Sequence, residues 1–362
     1  MATITGTLIE GLTQQMVQTR LNSADAKPFL FGRLFPVKRV NGFTWKTLQN
    51  QTGKKNVAAD LHTDNGTILR KQRPIFESAQ GDLPFISISR EMTRKDIKDY
   101  QIAAKLAQDP TAEELVQYWG GDVDFCFTGV QSELEFISLK LASNAGKLAF
   151  DTTTNATYAN EFNLDYQVDD AQKVNTSVDW GNSSKADIIG DMAKFIKAAK
   201  ALNLNPKFAF INLDELYRIC SAEQVIKACA SFASNALGIS QTPDLEQVNA
   251  MLKKQAWLNG IQLRVIDQTI TREFQDGSST SGNPFEDKRM ILSETEQLGT
   301  TQYDVLEDND ANIIRAERSH TVVKKYGTVE PKGEITIGEA DAVPVFDTAY
   351  RNLYIKTDGA SW

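Results

Sequence analysis

The strongest constraint on how this chain can fold is one apolar stripe. Val116, Trp119, Val123, Phe127, Val130, Leu134, Ile137 and Leu141 are separated by threes and fours, the period of a single helix face. Asp109-Pro110-Thr111 with Glu113 and Glu114 supplies a start, a capping residue followed by acids in the first turn. Gly146-Lys147 supplies the stop. The spacing predicts one helix from Thr111 to about Ala145, roughly 50 Å long at 1.5 Å per residue, which is more than a compact domain needs. Gly120-Gly121 is its candidate kink.

The segment before the stripe has a different character. Leu34-Phe35-Pro36 opens an extended stretch in which Phe35, Val37, Val40 and Phe43-Thr44-Trp45 surround an Asn41-Gly42 turn signal. Residues 51–75 are polar and basic, with a second turn signal at Asn65-Gly66. Phe85-Ile86-Ser87-Ile88-Ser89 alternates with period two and returns as a strand. Residues 35–90 therefore read as one long excursion that leaves the body and re-enters it, a length usually tied to function or disorder.

Charge sharpens that reading. Lys38, Arg39, Lys46, Lys54, Lys55, Arg70, Lys71 and Arg73 face only Asp60 and Asp64 within the segment. The remainder holds 31 of the 39 bases and 45 of the 47 acids, a balance of −14 in a chain of net charge −8. A cationic arm on an anionic body is complementary between copies, so these eight side chains are the candidate assembly contacts. The alternative is a solvated surface hairpin. The global acidity argues against a dedicated nucleic-acid binder, which needs clustered Lys and Arg to neutralise phosphates.

The rest of the 362 residues mixes helix and strand without strict alternation, which predicts an α+β fold. Residues 1–30 read as a polar arm with a weak amphipathic stretch (Leu8, Leu12, Met16) and no core of its own. Short strands and turns fill 150–180. Trp180 opens a block with an amphipathic helix over Ile188–Leu202, a buried strand over Lys207–Ile211 and a helix capped by Asp214-Glu215. Another helix starts at Asp244, strands follow at Ile261–Ile266 and Arg289–Leu292, and Gly277–Gly282 between them reads as a flexible loop. The last forty residues are mostly β, at Thr321–Val323, Glu334–Ile337 and Leu353–Ile355. The expected division is 1–34 arm, 35–90 extended loop, 91–179 long helix with the first part of one domain, 180–317 a second domain, and 318–362 terminal strands of the first.

No enzyme site emerges. The two histidines, His62 and His320, form no ligand or triad spacing, so zinc and His-based catalysis are not expected. Gly277 and Gly282 imitate a phosphate loop, but Asn283 and Pro284 stand where Lys and Ser/Thr belong. Asp308, Asp310 and Asn312 imitate a calcium loop, but Ile313 replaces the turn glycine. The acid pairs Glu133/Glu135 and Glu294/Glu296 have no fixed separation, and Trp119 and Phe127 read as core. Neither a cofactor nor a metal is expected. Cys126, Cys220 and Cys229 are sparse and lack a Cys-x-x-Cys pair, as in a reducing compartment. Neither a signal peptide nor a membrane span of ~20 apolar residues is visible, so the expected place of synthesis is a cytoplasm and no membrane partner is expected.

In the order of its parts the chain resembles the major capsid proteins of tailed bacteriophages, most closely the lambda-like group. The family's N-terminal arm is similar to residues 1–34. Its extended loop, entered through a Phe-Pro step, is similar to Phe35-Pro36 through Ile88, and its spine helix to Thr111 through Gly146-Lys147. Its axial domain resembles the run from Trp180 to Leu202 and Pro206–Ile211, and its peripheral terminal strands resemble 318–356. The resemblance implies a Hong Kong 97-like fold and a virion protein assembled in a host bacterial cytoplasm. It implies hexamers and pentamers on an icosahedral shell around double-stranded DNA, with no sequence-specific DNA contact and with the extended loop lying over a neighbour. A separate scaffolding protein is the implied partner, since the chain reaches its arm at once, and the resemblance also implies a portal and a decoration protein. Crosslinking relatives make Lys54, Lys55 and Lys71 candidates by location. An encapsulin-like compartment shell or another virion structural protein is the alternative.

Overall fold

In a computed structural model the apolar stripe is one unbroken helix, Glu113–Ser143. It ends as the sequence predicts: Ala145 and Gly146 turn left-handed (φ 50° and 74°), and Gly146 N–H donates to Leu141 O at 2.8 Å. The structure describes residues 4–26, 28–50, 76–106, 113–150, 162–230, 241–274, 277–308 and 310–362, so the start signal at Asp109–Thr111 lies outside the described residues. Gly120 and Gly121 do not interrupt the helix. A Cβ on Gly120 would meet Arg20 Nε at 3.3 Å, so this glycine makes room for a neighbouring helix rather than a kink.

In chain order the elements begin with β1 (Ile4–Thr5), α1 (Gln14–Ser23), α2 (Phe31–Leu34), β2 (Val37–Arg39), β3 (Thr44–Asn50), β4 (Phe76–Asp82), β5 (Phe85–Met92), α3 (Arg94–Leu106) and α4 (Glu113–Ser143). There follow β6 (Lys147–Phe150), β7 (Phe162–Asp165), β8 (Lys173–Asn175), α5 (Ile188–Ala201), β9 (Phe208–Asn212), α6 (Leu213–Ser221), α7 (Glu223–Cys229) and α8 (Leu245–Lys254). The remainder is β10 (Gln262–Ile266), β11 (Ile270–Glu273), β12 (Ser279–Gly282), β13 (Arg289–Ser293), β14 (Thr300–Asp304), β15 (Ile314–Arg318), β16 (Thr321–Thr328), β17 (Gly333–Val345) and β18 (Asn352–Lys356). The fold is α+β, in two compact units. One comprises Met1–Trp45, Gln80–Ile137 and Thr300–Val345; the other comprises Lys46–Ala79, Ser138–Gly299 and Phe346–Trp362.

The first unit is organised on β17. One edge of β17 pairs antiparallel with β5; the other pairs with β16 and then β14. β2 adds parallel to β14, while β15 and β1 pair with β16. α4 crosses this sheet closely. A Cβ on Gly338 would lie 2.6 Å from the backbone oxygen of Cys126, so the approach requires glycine there, whereas one on Gly129 would meet only the side chain of Ile88, which can turn aside. Trp119, Val123 and Phe127 pack with Met92, Val323 and the N-terminal residues Ile9, Leu12, Val17 and Leu21. This corrects the expectation of an arm without a core. Val17 and Leu21 are fully buried, each contributing about 1.5–3 kcal/mol, because α1 lays them against α4.

The second unit carries a mixed sheet in the order β10-β9-β13-β18-β8. Ile188, Met192, Phe195, Ile196 and Ala199 of α5 share its core with Ile211, Leu292 and Leu353. The final strand β18 lies in this sheet, between β13 and β8. Two local readings change. The cap of α6 is Asn212, whose Oδ1 accepts Glu215 N–H at 2.7 Å, and Asp214 and Glu215 occupy the first turn instead. The Gly277–Gly282 loop contains β12, which pairs residue for residue with β11 and joins Thr271 Oγ1 to Ser281 Oγ at 2.7 Å. β12 is exposed throughout, so it needed no apolar alternation to signal it.

Candidate assembly surface

The residues that could have carried catalysis are placed otherwise. Among the described residues no group of three His, Cys, Asp or Glu side chains converges on a metal position. His320 is buried with its ring edge toward Phe31, centroids 5.9 Å apart, and its Nε2 lies 3.1 Å from Gln131 Nε2 and 3.2 Å from Gln131 Oε1. Burial, then the charge of Arg318, pushes its pKa down to about 4. It is therefore a neutral core residue at neutral pH; His62 lies outside the described residues. Burial pushes the Cys126 thiol up to about 11, so little of it is the nucleophilic thiolate. Glu294 pairs with Arg351 and Glu296 with Arg264. Asp308 pairs with Lys324, and Asp310 accepts Asn312 N–H at 2.9 Å in a local turn.

The basic segment is only partly described. Lys54, Lys55, Arg70, Lys71 and Arg73 lie outside the described residues. Lys38 and Arg39 are exposed on β2, which adds to the sheet through β14. Lys46 is exposed on β3. Asp304 organises the turn that leaves β2: one oxygen accepts Gly42 N–H at 2.8 Å, and the other lies 3.3 Å from Arg39 Nε. The Arg39 guanidinium is half exposed, so this ion pair contributes on the order of 0–1 kcal/mol and leaves the cation open to solvent. Val37 and Phe43 are exposed beside these charges, and Phe85 on β5 is 61% exposed. At the described root of the excursion Lys38 and Arg39 thus stand with apolar side chains that their own unit does not cover.

Sequence reasoning missed what anchors that root. Glu135 on α4 is fully buried, and its two oxygens accept the N–H groups of Leu30 and Phe31 at 3.1 and 2.6 Å, holding the start of α2. Burial pushes its pKa up to about 7, against those two hydrogen bonds. Glu334 on β17 is also buried and accepts Thr7 Oγ1 at 2.6 Å and Leu8 N at 2.7 Å, pinning the N-terminal segment. Glu135 follows Leu134 by one residue, about 100° round the helix from the stripe, so the apolar period did not mark it as buried. Glu334 offered no signal either, because strand pairing decides which face it takes.

No protein-family model matches the sequence, and no curated protein matches it. Solved structures do. A phage-related protein from Bordetella bronchiseptica RB50 superposes with a TM-score of 0.55 at 13% identity, covering 97% of this chain and 98% of that one. A protein assigned as the capsid protein of an E. coli CFT073 prophage superposes with a TM-score of 0.56 at 12% identity, covering 95% and 99%. The chain has the fold of tailed-phage capsid proteins, Hong Kong 97-like, over nearly its whole length.

Proposed function

We propose that this chain is the major capsid subunit of a tailed phage, a structural protein that assembles with copies of itself into hexamers and pentamers of an icosahedral shell around double-stranded DNA. The observation that carries the reading is the end-to-end match to a prophage capsid structure, with 95% of this chain and 99% of that chain covered. The exposed basic and apolar root of the 35–90 excursion supports it, as does the burial or local pairing of the groups that could have served catalysis. On this reading the protein has no catalytic role. The unit built on β17 is the peripheral domain, and the unit built on β9 and β13 is the axial domain. Lys38, Arg39, Lys46, Lys54, Lys55, Arg70, Lys71 and Arg73 clasp an acidic neighbouring copy, fixing register more than affinity. A separate scaffolding protein, a portal and a decoration protein complete a virion built in the bacterial cytoplasm.

Negative-stain microscopy and sedimentation of the expressed chain test this. Closed shells or capsomer-sized rings are expected, and a stable small monomer under all assembly conditions refutes the reading. Shells filled with a protein cargo in the producing host would instead identify a compartment. Deleting residues 50–75 is expected to leave a folded subunit that assembles poorly; intact assembly of that variant removes the clasp.

A further inference from the structure

The chain contains three Asn-Gly steps: Asn41-Gly42, Asn65-Gly66 and Asn259-Gly260. Asn65 lies outside the described residues, and the structure treats the other two oppositely. Asn259 is half-buried, and its Nδ2 donates to Asn205 Oδ1 at 2.6 Å and Pro206 O at 3.0 Å. Its amide is held on two acceptors. Asn41 is exposed at the turn between β2 and β3, and its side chain has no hydrogen-bond partner among the described residues. The next backbone nitrogen, that of Gly42, points its hydrogen at Asp304 Oδ2, 2.8 Å away. Gly42 carries no side chain to crowd its nitrogen, and nothing lies within 4 Å of the position a Cβ would take.

We propose that Asn41 is a self-modifying site, at which Gly42 N displaces the side-chain amide with the Asp304 carboxylate as the base. Gly42 N passes its proton to Asp304 Oδ2 and attacks Asn41 Cγ, forming the N–Cγ bond of a five-membered succinimide. The Cγ–Nδ2 bond breaks, and Nδ2 leaves as ammonia with the proton that Asp304 held. Water then opens the ring at either carbonyl, giving aspartate or isoaspartate, so atoms and charges balance without an oxidant or reductant.

Burial opposes the charge of Asp304, but the N–H groups of Val305 and Gly42 and the Arg39 guanidinium hold it ionised below the usual carboxylate range. The product places a new carboxylate beside Asp304 and Arg39 at the root of the basic excursion, lowering the positive balance of that segment by one. An isoaspartate also lengthens the main chain between β2 and β3 by one methylene. The chemistry is independent of the shell reading, since it needs one copy of the chain and water.

The test is a time course of the purified full-length protein at pH 7 and pH 8, read by peptide mass mapping with chromatographic separation of the two linkages. The same chain unfolded in urea and the Asp304→Asn variant run in parallel. The Asn41 peptide is expected to gain the mass of an amide-to-acid exchange faster in the folded chain than in urea. The Asn259 peptide of the same digest is expected to stay unmodified while folded. Asp304→Asn should slow Asn41 severalfold. A folded rate at Asn41 at or below the urea rate, equal conversion of Asn41 and Asn259, or no effect of Asp304→Asn each overturns the proposal.

Discussion

Glu135→Gln is the most informative single change, because it separates a buried charge from the hydrogen bonds it makes. The wild-type carboxyl titrates at about 7 in the folded chain against 4.5 when exposed. The folded state therefore binds more protons between these values. The stability this confers is fully present below pH 4.5 and is lost as pH rises through 7. At 1.36 kcal/mol per unit the loss is about 3 kcal/mol, most of it between pH 5 and 8. Gln has no such titration. Its amide still offers an acceptor to Leu30 or Phe31 but turns a donor toward the other N–H, a fixed offset of about 1–3 kcal/mol that does not vary with pH. Hydrogen exchange of the peptide covering residues 28–35 reads the opening of this anchor directly. Relative to the Glu135→Gln variant, wild-type protection is expected to fall roughly a hundredfold from pH 5 to pH 8. His320, also packed on Phe31, is common to both proteins and drops out of the comparison. A wild-type-to-variant difference independent of pH would refute the reasoning.

His320 gives the opposite slope. Its folded pKa of about 4 lies below the exposed 6.5, so its contribution is complete above pH 6.5 and lost as pH falls through 4, about 3 kcal/mol in all; His320→Gln should shift acid unfolding, followed by near-UV circular dichroism, to lower pH. Gly338→Ala forces a methyl within 2.6 Å of Cys126 O and should cost about 1–3 kcal/mol, read as a lowered Tm. An unchanged Tm would mean that α4 can lift off the sheet without loss. Glu334→Ala removes the acceptor of Thr7 Oγ1 and Leu8 N and should cost about 3 kcal/mol. Limited proteolysis should then cut the first ten residues while the rest of the unit stays resistant.

What could be read from the sequence was whatever a local period or a local cap specifies. The α4 stripe, its Gly146 stop, the return strand β5 and the helix start at Asp244 were legible because each is written in local sequence. α3 was not, although Thr93 and Asp96 cap each other, with Asp96 Oδ2 accepting Thr93 N–H at 2.8 Å. Only Ile97 and Tyr100 of its thirteen residues are buried, too few to draw a stripe. The N-terminal arm was misread for a related reason. α1 is polar on average, and its two buried residues, Val17 and Leu21, are one helical turn apart. They find their partners on α4 and β15, about a hundred and about three hundred residues away. At the candidate surface the cations were legible by composition, whereas Asp304, which shapes their turn, lies about 260 residues downstream.

The stripe alone does not fix where α4 sits. Val123, Phe127 and Val130 are all apolar, so sliding the helix by one turn would replace one apolar residue by another. Two features forbid the slide. The first is the close approach of the α4 backbone at Cys126 to Gly338, which exists at one register only. The second is polar. Lys325, Thr336 and Arg90 lie side by side across β16, β17 and β5, and Lys325 Nζ donates to Thr336 Oγ1 at 2.8 Å. Burial pushes the Lys325 ammonium down, and the charges of Glu334 and Asp122 oppose that shift. Asp122 on α4 also lies 3.8 Å from Arg90. Moving α4 by a turn would carry Asp122 about 5 Å from this row. A buried lysine that loses a compensating anion costs about 3–5 kcal/mol, more than a swapped apolar contact returns. Hydrophobic period thus selects the helix face, and glycine contact with buried charge selects its position along the sheet.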